Sequence, residues 1–459
     1  MSHSSPFSRV GLAGLLFYAA AISGPTLVTA AESPSKPESS PKVTERLRPV
    51  VKVVQGGESK TPPEDCLATL VGPGIHQPDP YPGYGGFVGW VSPVRLRNGD
   101  WLVGFSAGYW HASAPTPLRF SPKTIESYHK MGLPADVVAP TGGRAMIMRS
   151  TDEGKTWSKP VTMLDTPDDD RHPAFVELPD GTLICSVFTY PGGDDALTNP
   201  AHAYRTAIIR SFDHGKTWDK NVIRPPSPFV TDETNGPLVL LKDGSVLLTI
   251  DGAPKNGGPQ QAAVFTSKDS GATWQLISTV KAENQLQEVI VSTQMDTVQS
   301  RIQSKEHPLL EVTTAVLSDG QWVMMARPEG DICWSGDQGR TWTEPVSFGM
   351  RLLAPSLYVM RDGTLVCLHG SYVKGALRVI FSTDGGHTWI APAKDYGFLV
   401  ARGYGYGKAM ILPDGSLFIT DQGAGGHTTK DAQNMSIRCL RLRIRDDHSG
   451  IDLLPAPNP

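Results

Sequence analysis

The sequence is short of cysteine and of the spaced motifs by which metals and redox cofactors are usually held. Its 459 residues hold only five cysteines, Cys66, Cys185, Cys333, Cys367 and Cys439, and their spacing matches neither a metal site nor a disulfide framework. Four of them sit in apolar, strand-like runs such as TLICSVF and TLVCLHG, where a buried free thiol is the expected state. No HExxH, no CxxC and no phosphate-binding glycine loop followed by Lys-Ser or Lys-Thr occurs, so neither a metal nor another cofactor is expected. The formal net charge of −4 gives no basic footprint, which argues against nucleic acid as a partner. Beyond the first residues there is no apolar run long enough to span a bilayer.

What the chain has in quantity is turns, with 47 glycines and 39 prolines. The N-terminus carries a short polar region ending at Arg9, an apolar stretch from Val10 to Ile22, and small residues near Ala30 and Ala31. That order is expected of a cleaved export signal, residues 1–31. Residues 32–60 are rich in Ser, Pro and charge and are expected to be a disordered linker.

Two repeats then alternate. The first is S-x-D-x-G-x-T-W, found at RSTDEGKTW (149–157), RSFDHGKTW (210–218), TSKDSGATW (266–274), WSGDQGRTW (334–342) and FSTDGGHTW (381–389). The second is an Asn-Gly or Asp-Gly pair between two apolar runs, found six times, as in LRNGDWLV, LPDGTLIC and LKDGSVLL. Such a pair marks a β-hairpin, because both central residues of a type I′ turn need positive φ. The order is therefore strand, hairpin, strand, variable loop, strand, long turn, strand. Repeated six times, it predicts an all-β fold, a six-bladed propeller of four-stranded antiparallel blades over residues 61–446, with a tail from 447 to 459. The last unit lacks its own long turn and ends on Ser436–Arg445, so its fourth strand is expected from the N-terminal segment Glu64–Val71, closing the ring. Cys66 and Cys439 would then lie on neighbouring strands.

Each residue of the long turn has a structural task. The Asp carboxylate can accept N–H groups of its own loop, and Gly supplies positive φ. Five copies spread around a ring cannot line one active site. In an up-and-down blade the hairpins and the long turns fall on one face, so chemistry is expected on the other. That face gathers the starts of the inner strands and the loops between second and third strands. Arginines, histidines, carboxylates and tyrosines concentrate there, as a polar-ligand mouth requires.

The long turns are the Asp boxes, or BNR repeats, of the sialidase superfamily, and a six-bladed ring of them resembles a sialidase over roughly residues 65–445. The resemblance implies an exo-α-sialidase type of glycoside hydrolase acting on terminal acidic or polar sugars of glycans. Its nucleophile would be a tyrosine activated by a glutamate, with an aspartate as acid/base and three arginines holding the substrate carboxylate. The segment EVTTAVLSDGQWVMMAR carries Glu311 over as the tyrosine's partner and Arg327 as a clamp. GYGYGKAMILPDG carries over Tyr406 as nucleophile, with Tyr404 as second choice. Asp136 is the acid/base candidate, and His111 shares its loop. Arg351, Arg144, His111, His172 and Asp232 are further candidates for substrate contacts. The chain departs from the family where Arg-Ile-Pro should open the first inner strand, because Val91-Ser92-Pro93 stands there. Two other readings stay open: a non-catalytic glycan-binding propeller using tyrosines and Trp110, and a different glycosidase or a lyase using Arg144, Arg171 and His172.

Overall fold

The computed structural model describes residues 48–76, 87–108, 113, 121–130, 142–192, 202–282, 287–291, 300–304, 308–373, 375–423 and 435–457. The export segment therefore lies outside the described residues. Among the described residues six sheets, built on antiparallel blades of mostly four strands with added edge strands, form the propeller, and Gln287–Val291 with Ser300–Ser304 makes a separate two-stranded sheet. The first blade is Phe87–Arg95, Trp101–Gly108, Arg144–Ser150 and Val161–Leu164. The second opens on Asp169–Glu177, the third on Phe229–Glu233, the fourth on Leu310–Val316, the fifth on Leu352–Val359 and the sixth on Gly407–Ile411. The hairpins follow from sequence, since Gly99, Gly181, Gly244, Gly320, Gly363 and Gly415 all have φ between 80° and 94°.

The hydrophobic core lies between blades rather than in each of them. Leu102 and Ile147 of the first blade meet Phe175, Leu183 and Cys185 of the second. Val323 and Ile332 of the fourth meet Leu365, Ile380 and Trp389 of the fifth. Each blade thus buries both faces against its neighbours, which is why its strands read as apolar runs and not as strict alternations. All five cysteines are buried free thiols.

The five Asp boxes share one geometry. Ser150 Oγ donates to Asp152 Oδ1 at 2.8 Å and accepts Gly154 N–H at 2.8 Å. Asp152 in turn accepts the N–H and the hydroxyl of Thr156. The same serine–aspartate bond recurs at Asp213, Asp269, Asp337 and Asp384.

Ring closure involves more chain than the repeats suggest. Ala68–Val71 pairs antiparallel with Ile437–Ile444, as expected, but covers only its first half. Ile451–Leu454 pairs with the second half, so residues beyond 446 belong to the propeller and not to a tail. Val50–Val53 runs parallel to Thr388–Ala391 in the fifth blade, which moves the start of the fold into the segment expected to be linker. The physical reason is shared: an unpaired edge offers free N–H and C=O groups, and both chain ends fill one.

Candidate active site

Four inner strands carry a bulge at the same place, where register shifts beside Trp90, His172, Glu311 and Ala354. All four have positive φ, between 45° and 56°, a conformation that costs a non-glycine residue energy and collects at functional sites. A bulge re-aims a side chain. Here each bulge stands eight residues before its hairpin Asn or Asp, as do Asn235 and Tyr406 in the remaining blades. The six residues form one ring at the mouth of the propeller.

The contacts run around that ring. Trp90 packs on His172 with centroids 5.0 Å apart. His172 Nδ1 donates to Asn235 Oδ1 at 3.2 Å, and Asn235 Nδ2 donates to the carbonyls of Glu311 and Pro355. Glu311 is the busiest member. Its Oε1 accepts the Tyr406 hydroxyl at 2.8 Å, and its Oε2 accepts Ala354 N–H at 2.8 Å and lies 2.7 Å from Arg327 Nε. The edge of His172 faces Tyr406 at 6.1 Å. Gly405 lets the chain reach this position, with φ +90° and a missing Cβ that would stand 3.0 Å from Gly370 Cα. Under the ring, Lys408 Nζ donates to Asn235 O at 2.5 Å and to Ser356 Oγ at 2.6 Å.

The electrostatics fit a proton relay. Burial pushes the Tyr406 phenol well above its ordinary value, the charge of Glu311 adds to this, and Arg327 opposes it. Tyr406 is thus a neutral phenol whose proton already points at a carboxylate. Burial pushes Lys408 down to about 7, with Glu311 pulling the other way. His172 is pushed well below its usual range by burial and by the charges of Lys408 and Arg171. Its imidazole is neutral.

Of the residues expected from sequence, the structure brings Tyr406, Glu311 and Arg327 together. Tyr404 stacks on Tyr406 at 5.4 Å. Arg351 is one residue chain away: its guanidinium lies 4.7 Å from the Tyr372 ring, whose hydroxyl accepts from Arg327 at 3.2 Å, and it pairs with Glu329. Arg144 opens the third strand of the first blade, half-buried opposite Ala107. Asp136 and His111 lie outside the described residues. The Asp232 carboxylate accepts from Arg205 at 3.2 Å and from Thr206 N–H at 2.7 Å, both on the third strand of the neighbouring second blade. The bulge position of the first blade holds Trp90, next to the Val91-Ser92-Pro93 that stands in place of Arg-Ile-Pro.

Sequence reasoning missed Trp90, Asn235 and Lys408 as members of the site, and Arg171 was only a fallback. Arg171 is buried, donates from Nε to Asp169 Oδ2 at 2.7 Å, and stacks between Trp90 at 4.8 Å and Tyr190 at 4.7 Å.

A family model described as a BNR repeat-like domain matches residues 145–419, and the chain belongs to that family, with the six-bladed fold of the sialidase superfamily. No curated protein sequence matches the chain. Among solved structures it is similar to a Dyadobacter fermentans protein of unknown function, at 16% identity and TM-score 0.56, covering 81% of this chain and 98% of that one. It is similar to the Hadza microbial sialidase Hz136 at 17% identity and TM-score 0.52, over 77% of this chain and 65% of the other. The leech intramolecular trans-sialidase, complexed with 2,7-anhydro-Neu5Ac, aligns at 11% identity and TM-score 0.51, over 80% and 70%. At these identities the likeness is one of fold.

Proposed function

We propose that this protein is an exported glycoside hydrolase that removes a terminal polar sugar from glycans, with Tyr406 as nucleophile and Glu311 as its base. The observation that carries the reading is the 2.8 Å bond from the Tyr406 hydroxyl to Glu311 Oε1, with Arg327 on the other carboxylate oxygen. A neutral phenol is a poor nucleophile until a base takes its proton as it attacks. Glu311 stands ready to do so, and Arg327 and Ala354 N–H fix its orientation.

The charge arrangement favours an uncharged polar sugar over a sialoside. Arg171, Arg327 and Arg351 each already face a carboxylate, Asp169, Glu311 and Glu329. A sugar carboxylate would have to compete with those partners for the guanidinium forks. The aromatic Trp90 at the first-blade bulge suits the apolar face of a sugar ring better than its carboxylate.

The test is a panel of aryl glycosides, sialosides included, with Tyr406→Phe and Glu311→Gln as controls. At least one neutral glycoside should be turned over faster than the sialoside, and both substitutions should cost about 10²–10⁴-fold, the usual worth of such a group. Turnover indifferent to both substitutions would remove this assignment.

A further inference from the structure

Asp136 lies outside the described residues, and among the described ones the reading above has no acid to protonate the leaving oxygen; the third blade supplies a candidate. Glu233 ends the first segment of the inner strand of that blade and is paired in register with Asp251. Asp251 Oδ1 accepts the N–H of Val312 at 3.2 Å, the residue next to Glu311. Glu233 thus stands on the wall of the mouth directly beside the fourth-blade bulge, two residues before Asn235 of the ring.

Its surroundings are unlike those of every other acid nearby. Asp169 is held by Arg171, Asp170 by the N–H and hydroxyl of Thr166, Asp232 by Arg205 and Thr206, and Glu311 by Tyr406, Ala354 and Arg327. Each of these carboxylates accepts from a fixed donor. Glu233 is half-buried, and among the described residues no donor reaches its carboxylate. A carboxyl left without donors at a partly buried site is stabilised in its protonated form. In that form it offers a proton to the mouth.

We propose that Glu233 is the general acid/base of the site. This rests on Tyr406 and Glu311 acting as the nucleophile pair. In the first step the Tyr406 oxygen bonds to the anomeric carbon while Glu311 takes its proton. The glycosidic C–O bond breaks with its electron pair on the leaving oxygen, which takes the proton from Glu233. In the second step Glu233, now a carboxylate, takes a proton from water as the water oxygen bonds to the anomeric carbon. The Tyr406 C–O bond breaks, and the phenolate recovers its proton from Glu311. The sum is one glycoside and one water giving two hydroxyl compounds.

The titration of Glu233 agrees with this. Burial and the negative charge of Glu311 push it up to about 7, while Arg327 and Arg171 pull back and Asp232 adds to the rise. Asp251 and the Tyr204 ring complete the set of titratable neighbours. At neutral pH a useful fraction carries the proton, and the complementary fraction can accept one.

The experiment compares wild type and Glu233→Gln on glycosides of one sugar whose leaving groups differ in acidity, from dinitrophenol to a simple alcohol. The acid role predicts a loss of about 10²–10⁴-fold on the alcohol glycoside and less than about tenfold in the first step on the dinitrophenyl glycoside. Added azide should restore turnover and give the glycosyl azide, and the fall of kcat/KM above about pH 7 should vanish. Carboxyl ¹³C spectra of the labelled protein should show one glutamate signal, missing in Glu233→Gln, that titrates well above the ordinary range. An equal loss on all leaving groups, without azide rescue, would overturn the proposal. If Tyr406→Phe abolishes turnover while Glu233→Gln matches wild type, the acid is elsewhere and the hydrolase reading stands. A wild type inert on every glycoside of the panel would overturn both.

Discussion

At the scale of single residues, Lys408 is the least expected member of the site. An ammonium in a propeller axis is costly to bury, and two acceptors, Asn235 O and Ser356 Oγ, only partly offset the loss of water. In the folded chain its proton is held weakly, with a value near 7 against an ordinary 10.5. Between those two values the unfolded chain binds the proton more fully than the folded one. Stability should therefore rise with pH across that window, and the contribution is lost as pH falls through about 7. Lys408→Met removes this slope. The melting temperature of the Met variant minus that of wild type should become steadily less favourable between pH 7 and pH 10. A difference that does not change with pH would show that Lys408 keeps its proton in the folded chain.

At the scale of elements, the Asp boxes and the bulged inner strands divide the work, the first holding the far face and the second building the mouth. Asp152 is pulled down to about 2 by the hydroxyl and N–H of Thr156 and by Ser150. A depressed carboxylate contributes stability that is present above its unfolded value of 3.8 and lost as pH falls through 2. Asp152→Ala should lower the melting temperature at pH 7, the gap should close as pH falls toward 2, and kcat should not change. A loss of kcat without loss of stability would place this turn nearer the chemistry than its face allows. These elements also show how far the sequence could be read. The boxes and hairpins are local turn chemistry, so they fixed the blades and the face, and Glu311, Arg327 and Tyr406 followed from the segments around them. Trp90 and Asn235 were hidden because a bulge leaves no composition signal. Counting eight residues back from each hairpin would have exposed the whole ring, Trp90, His172, Asn235, Glu311, Ala354 and Tyr406. Glu233 was passed over for its neighbour Asp232, since only packing tells which of two adjacent acids is tied up.

At the scale of the molecule, the ring is held shut by a clasp between its two ends. Ile451 N–H donates to Gly57 O and Leu453 N–H to Ser59 Oγ, each at 2.9 Å, and Ala456 N–H donates to Cys66 O at 2.9 Å. Arg445 adds bonds to the carbonyls of Gly56 and Glu58. The clasp is also apolar, because Ile451 and Leu453 are 0% and 3% exposed between the fifth and sixth blades. The strand Val50–Val53 pairs just as regularly with the fifth blade, yet Val50 and Val53 are 55% and 43% exposed. Hydrogen bonds alone do not distinguish the two ends; burial does. Removing a buried leucine costs about 2–5 kcal/mol, a large part of the stability of about 5–15 kcal/mol typical of a folded chain. Leu453→Ala should therefore lower the free energy of unfolding by an amount in that range. Val53→Ala should cost well under about 1 kcal/mol, as surface positions do. Urea unfolding followed by tryptophan fluorescence measures both. Equal losses at the two positions would mean that the N-terminal strand closes the ring as much as the C-terminal one does, and that backbone pairing outweighs burial there.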